Sequence, residues 1–94
     1  MTDSDAIVRP AFANAHTHIG DSVAKEAGAG LSLDDLVAPP DGLKHRLLRA
    51  ASADETVTAM RRSLRFMLRS GTAATVEFRE GGVAGVGVIR RALD

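Results

Sequence analysis

The chain has 94 residues, of which 45% are hydrophobic and 26% charged; twelve basic and twelve acidic side chains leave a formal net charge of zero. Neutrality removes any bulk attraction to nucleic acid or acidic membranes, and no apolar run approaches the roughly 20 residues that cross a bilayer. The absence of cysteine excludes disulfides, thiolate metal sites and a cysteine nucleophile, and fits a reducing cytoplasm.

The opening "MTDSDAIVRP" has neither the basic nor the apolar region of a secretory leader. Ile7 to Ile19 reads as extended, with Pro10 suited to the beginning or edge of a strand. From Gly20 to Ala53 the periodicity is broken by Gly28, Gly30, Pro39, Pro40 and Gly42. Two short helices fit inside this excursion. One covers "LSLDDLV", with Ser32 as cap and Asp34 and Asp35 in its first turn; the other covers "DGLKHRLLRA", led by Asp41. An excursion this long in a compact domain tends to be functional.

Ser52 to Ser70 gives the clearest helical signal. Ser52 and Glu55 have capping-box spacing, and Val57, Met60, Leu64 and Met67 share one apolar face. Gly71 follows where a left-handed cap belongs. Arg61, Arg65 and Arg69 lie four apart and read as a solvated face. Thr72 to Phe78 is rich in β-branched residues and predicts a second strand. Val83 to Leu93 predicts a last helix, with Val86, Ile89 and Leu93 on one side. The order strand, excursion, helix, strand, helix is a βαβα pattern with parallel strands, Ala11–Ala15 against Ala73–Phe78.

The chemistry concentrates in "FANAHTHIGDS". Alternate side chains of a strand point the same way, so His16 and His18 project together at the strand's C-terminal end. Two adjacent imidazoles can ligate one divalent metal, zinc first, with iron, manganese or nickel as alternatives. They can also hydrogen-bond locally as neutral rings. The residues alone leave both readings open, and two ligands do not complete a zinc site.

The stretch "RPAFANAHTHIGDS" resembles the first barrel strand of the amidohydrolase superfamily. There, a proline, an aromatic residue and an asparagine precede His-x-His; here these are Pro10, Phe12, Asn14, His16 and His18. "SGTAATVEFREGGVAGVGVIRRAL" resembles the second strand and helix of the same enzymes, more generically. The resemblance implies an α/β fold, the βαβα front portion of a (β/α)8 TIM-like barrel over residues 1–94. It implies a metal-dependent hydrolase whose activated water attacks a C–N or ester bond of a small-molecule substrate. His16 and His18 match the family's strand-one ligands, and Asn14 and Asp21 become candidates to orient them. The family's remaining ligands and its general base lie on later strands with no counterpart here, so the general base is expected beyond Asp94. The chain therefore reads as an N-terminal portion, weak in zinc binding and inactive alone.

Glu80 falls near the end of the second strand and is a candidate substrate contact, weighed against a solvated rim. His45 lies in the excursion and reads as a surface residue. "EGGVAGVG" matches neither common phosphate-binding glycine pattern and reads as a tight turn. The alternative to an enzyme is a small βαβα module binding a phosphate or a protein partner, its histidines incidental. A third reading is a non-catalytic remnant that pairs with a partner or another copy through the Ala73–Phe78 edge.

Overall fold

The computed structural model describes residues 5–94; Met1–Ser4, where the leader reading begins, lie outside them. Strand β1 covers Phe12–Thr17 and is followed by a 3-10 helix, Ile19–Ala24. Helices α1 (Leu33–Val37) and α2 (Leu43–Ala50) occupy the excursion. Helix α3 (Ala53–Arg69) leads to strand β2 (Thr72–Glu77), and α4 (Gly82–Leu93) follows.

Local chemistry explains most of these boundaries. The Ser52 hydroxyl accepts from Glu55 N at 3.1 Å and Glu55 Oε2 accepts from Ser52 N at 2.7 Å, so two of the free backbone donors at the start of α3 are satisfied. Gly71, at φ 91°, turns the chain from α3 into β2. Ser32 caps α1 as expected. Gly42 rather than Asp41 stands at the N-cap of α2, and Asp41 instead pairs with Arg49.

β1 and β2 pair in parallel, with Phe12 opposite Thr72, Asn14 opposite Thr75 and Thr17 opposite Glu77. The core lies beside this sheet rather than on it. Val57 and Met60 of α3, Ile19 of the 3-10 helix and Ala92 of α4 are buried, with Leu64, Met67, Val88 and Ile89 packed around them. The predicted apolar face of α3 is thus the one used.

The expected front portion of a (β/α)8 barrel is not what these residues form. They build a small α/β unit whose sheet stops at two strands and stays open, with Phe12, Val76 and Phe78 about half exposed. A barrel requires eight strands closed upon one another. The βαβα order and the parallel pairing belong to α/β structure in general, and only the resemblance points to closure. Of the apolar side of α4, Ile89 packs against the core. Gly85 and Ala92 are buried while Val86 and Leu93 are 45% and 67% exposed. A side chain at Gly85 would collide with the Glu80 carbonyl, so the helix approaches the β2 exit on its smallest residue.

Candidate functional site

The two histidines converge at the C-terminal end of β1. His16 is on the strand; His18 stands at the N-cap of the 3-10 helix, with φ −127° and ψ 64°. Their Nε2 atoms are 3.1 Å apart and both rings are exposed. Phe78, just past β2, backs them: its ring centroid lies 4.3 Å from that of His16 and 5.7 Å from that of His18. The Nε2 separation suits an N–H···N bond between two neutral rings. It also suits two nitrogens on one cation, since tetrahedral ligands at the usual Zn–N length lie about 3.3 Å apart. The pair therefore fits a divalent metal as two members of a ligand set. Among the described residues no group of three or more His, Cys, Asp or Glu could hold a metal ion.

Glu77 fixes the position of this end of the chain. His18 contributes no side-chain cap to the 3-10 helix. Glu77 supplies the acceptor instead, its Oε2 at 2.9 Å from Ile19 N and its Oε1 at 3.3 Å from Gly20 N. Thr17 Oγ1 donates to Glu77 Oε2 at 2.7 Å and can accept from Thr75 Oγ1, also at 2.7 Å. A carboxylate from the neighbouring strand thus locks the backbone that carries His18. Gly20 belongs to the same arrangement, because a Cβ there would strike the Arg79 guanidinium.

A charged chain continues outward from His18. Glu80 Oε1 is 3.9 Å from His18 Nδ1, too long for a hydrogen bond but close enough for charge to matter. The same oxygen is 2.8 Å from Lys44 Nζ, which also reaches Asp21 Oδ2 at 3.0 Å. Burial pulls the Lys44 ammonium down, but its hydrogen bonds to Glu80 and Asp21 and their charges outweigh this and hold its pKa above the ordinary value. Burial pushes the Glu80 carboxyl up; the Lys44 hydrogen bond and the Lys44 and His18 charges prevail and hold it below the ordinary carboxylate value. Both groups stay ionised at neutral pH.

Sequence reasoning points to His16, His18 and Glu80, and the structure places them at one end of the sheet. Asn14 does not touch an imidazole: its Oδ1 accepts from the His16 backbone N at 3.1 Å. Asp21 meets Lys44 rather than a histidine. His45, expected at the surface, is half-buried, and its Nε2 donates to the Val37 carbonyl at 3.1 Å. Asp94, the residue beyond which the general base is expected, is exposed at the C-cap of α4, and its backbone N donates to the Arg90 carbonyl at 3.3 Å. It borders a groove with Arg61 and Leu64 of α3 that neither histidine lines. Lys44 and Glu77 are the residues beside the histidine pair that sequence reasoning does not single out. Lys44 carries no local signal, since its partners Asp21 and Glu80 lie far from it in the chain. A carboxylate in the otherwise uncharged run "TAATVEF" is a usable hint for Glu77.

No protein-family model matches this chain, and no solved structure does. Curated relatives do. A protein of Methanothermobacter thermautotrophicus named "Putative aminohydrolase" is 46% identical over 90 residues, 96% of this chain and 23% of the relative. A protein of Archaeoglobus fulgidus with the same name is 36% identical over 86 residues, 92% of this chain and 26% of the relative. An uncharacterized protein of Methanocaldococcus jannaschii is 42% identical over 87 residues, 93% of this chain and 23% of the relative. The chain spans about a quarter of the length of these relatives.

Proposed function

We propose that the chain carries the metal-holding histidine pair of a hydrolase of the amidohydrolase type, acting on a C–N or ester bond of a small molecule. The observation that carries this reading is the convergence of His16 and His18 Nε2 at 3.1 Å in an exposed position, backed by Phe78. The aminohydrolase names of two relatives support the reaction class.

His16 and His18 would hold a divalent ion, zinc first, through Nε2. Such an ion supplies Lewis-acid activation of water near neutral pH. The chain's own residues prepare the ligands. Glu77 fixes the backbone at His18. Glu80, kept ionised by Lys44, lies on the Nδ1 side of His18 and favours the tautomer with hydrogen on Nδ1 and a free lone pair on Nε2. Phe78 limits the rings' rotation and keeps water from one of their faces.

The test is zinc affinity by competition with a chromophoric chelator, for the wild-type chain and for His16→Ala, His18→Ala and His45→Ala. The wild type should bind one zinc at micromolar strength or weaker, as two protein ligands allow. His16→Ala and His18→Ala should each weaken binding at least tenfold, and His45→Ala should leave it unchanged. Equal affinity for all four proteins contradicts the assignment.

A further inference from the structure

A closed zinc site takes four ligands in a tetrahedron. His16 and His18 offer two, and among the described residues no third His, Cys, Asp or Glu joins them in a group that could hold a metal. Glu80 does not fill the gap. It faces His18 Nδ1 rather than Nε2, and it is held by Lys44 at 2.8 Å and by Arg79 at 3.6 Å. The ligands must therefore come from outside this set.

The surface around the pair says what can bring them. Side chains alternate along a strand, so Val76 and Phe78 share a face, and Phe78 packs against both imidazoles. Val76 is 55% exposed and Phe78 49%. Glu77, the one charged residue in either strand, turns to the opposite face, where its carboxylate meets Thr17. The histidines thus stand at the end of an open apolar face whose strands put no charge on it. The chain's formal net charge of zero sets no general repulsion between copies.

Such a face is self-complementary. A twofold axis through one ion sets two identical histidine pairs around it, four imidazole nitrogens in all, and brings the Val76–Phe78 surfaces of the two chains together. On the reading that His16 and His18 are metal ligands, we propose that two copies of this chain share one zinc ion through His16 and His18 of each. With four protein ligands the ion has no position left for water, so the pair of chains is a closed form of the site, without hydrolytic activity. The dilute single chain keeps those positions open.

The experiment is sedimentation velocity of the full chain, in chelator and with half an equivalent of zinc, with the zinc content of each species measured. The chain should be a monomer in chelator and a dimer with zinc, at one ion per two chains. His16→Ala should stay monomeric in both. Val76→Gln, which keeps the net charge and both ligands, should weaken the dimer at least about tenfold, since a twofold contact buries the new amide twice. Its single-chain zinc affinity, measured at high dilution by chelator competition, should equal that of the wild type. A dimer that persists in chelator, that forms as readily with His16→Ala, or that is as tight with Val76→Gln overturns the proposal. So does a zinc complex that stays monomeric at one ion per chain; if His16→Ala still weakens that complex, the single-chain ligand pair stands without its partner. Equal zinc affinity for wild type and His16→Ala overturns both.

Discussion

Glu77 shows how one side chain can set the geometry of a site it does not enter. It binds two backbone amides just past His18 and the Thr17 hydroxyl. Glu77→Ala would leave those amides to water or to nothing, at a cost of about 1–3 kcal/mol. Urea unfolding should register that loss, and Glu77→Gln, which keeps an acceptor, should lose less. Glu80 gives a pH signature instead. Its pKa is lowered on folding from 4.5, so its contribution to stability is present above that value and lost as pH falls through the lowered one. Lys44, raised from 10.5, limits the pair at the alkaline end, where the contribution fades as pH rises through the raised value. The stability difference between wild type and Glu80→Gln should be constant from about pH 6 to 9 and shrink as pH falls below 4.5. A difference that grew on acidification would contradict the Glu80–Lys44 account.

Helix α3 organises the elements: it connects the two strands and packs against both the 3-10 helix and α4. Its start depends on the Ser52–Glu55 box. Ser52→Ala should cost about 1 kcal/mol in denaturant unfolding, and Ser52→Asp, which still caps, should cost little. In the sequence α3, β2, the two short helices and the parallel pairing are legible, because caps, β-branched runs and 3.6-residue spacing act locally. The 3-10 helix is not, since its capping carboxylate comes from Glu77, 58 positions beyond Ile19. The inner face of α4 escapes sequence reading for a related reason. Apolar size points to Val86 and Leu93, whereas close approach to the Glu80 carbonyl selects Gly85. At the site, period-two alternation points to His16 and His18 as a pair, although His18 lies just past the strand, at the start of the 3-10 helix that Glu77 caps. The Asp21–Lys44–Glu80 chain joins three separate segments and leaves no mark in any one of them.

The whole molecule has a small core and a loose outline. Its radius of gyration is 16.1 Å, against about 12 Å for a compact domain of this length. Met60 is the one large side chain that is fully buried among the described residues, and Val57, Ile19 and Ala92 complete the innermost group. Met60→Ala should cost about 2–5 kcal/mol, a large share of the stability of any small domain; circular dichroism at 25 °C should show a visibly unfolded fraction. No helix among the described residues is long and apolar enough to cross a membrane. The central claim concerns the exposed end of the sheet, where Nε2 of both histidines points to one place. The measurement that tests it most directly is a long-range ¹H–¹⁵N correlation spectrum of the imidazole nitrogens, recorded with and without one equivalent of zinc. The account predicts that Nε2 of His16 and of His18 shift together to metal-bound values, that both rings keep hydrogen on Nδ1, and that His45 does not move. Zinc that leaves both rings unchanged, or that shifts His45 in their place, would contradict it.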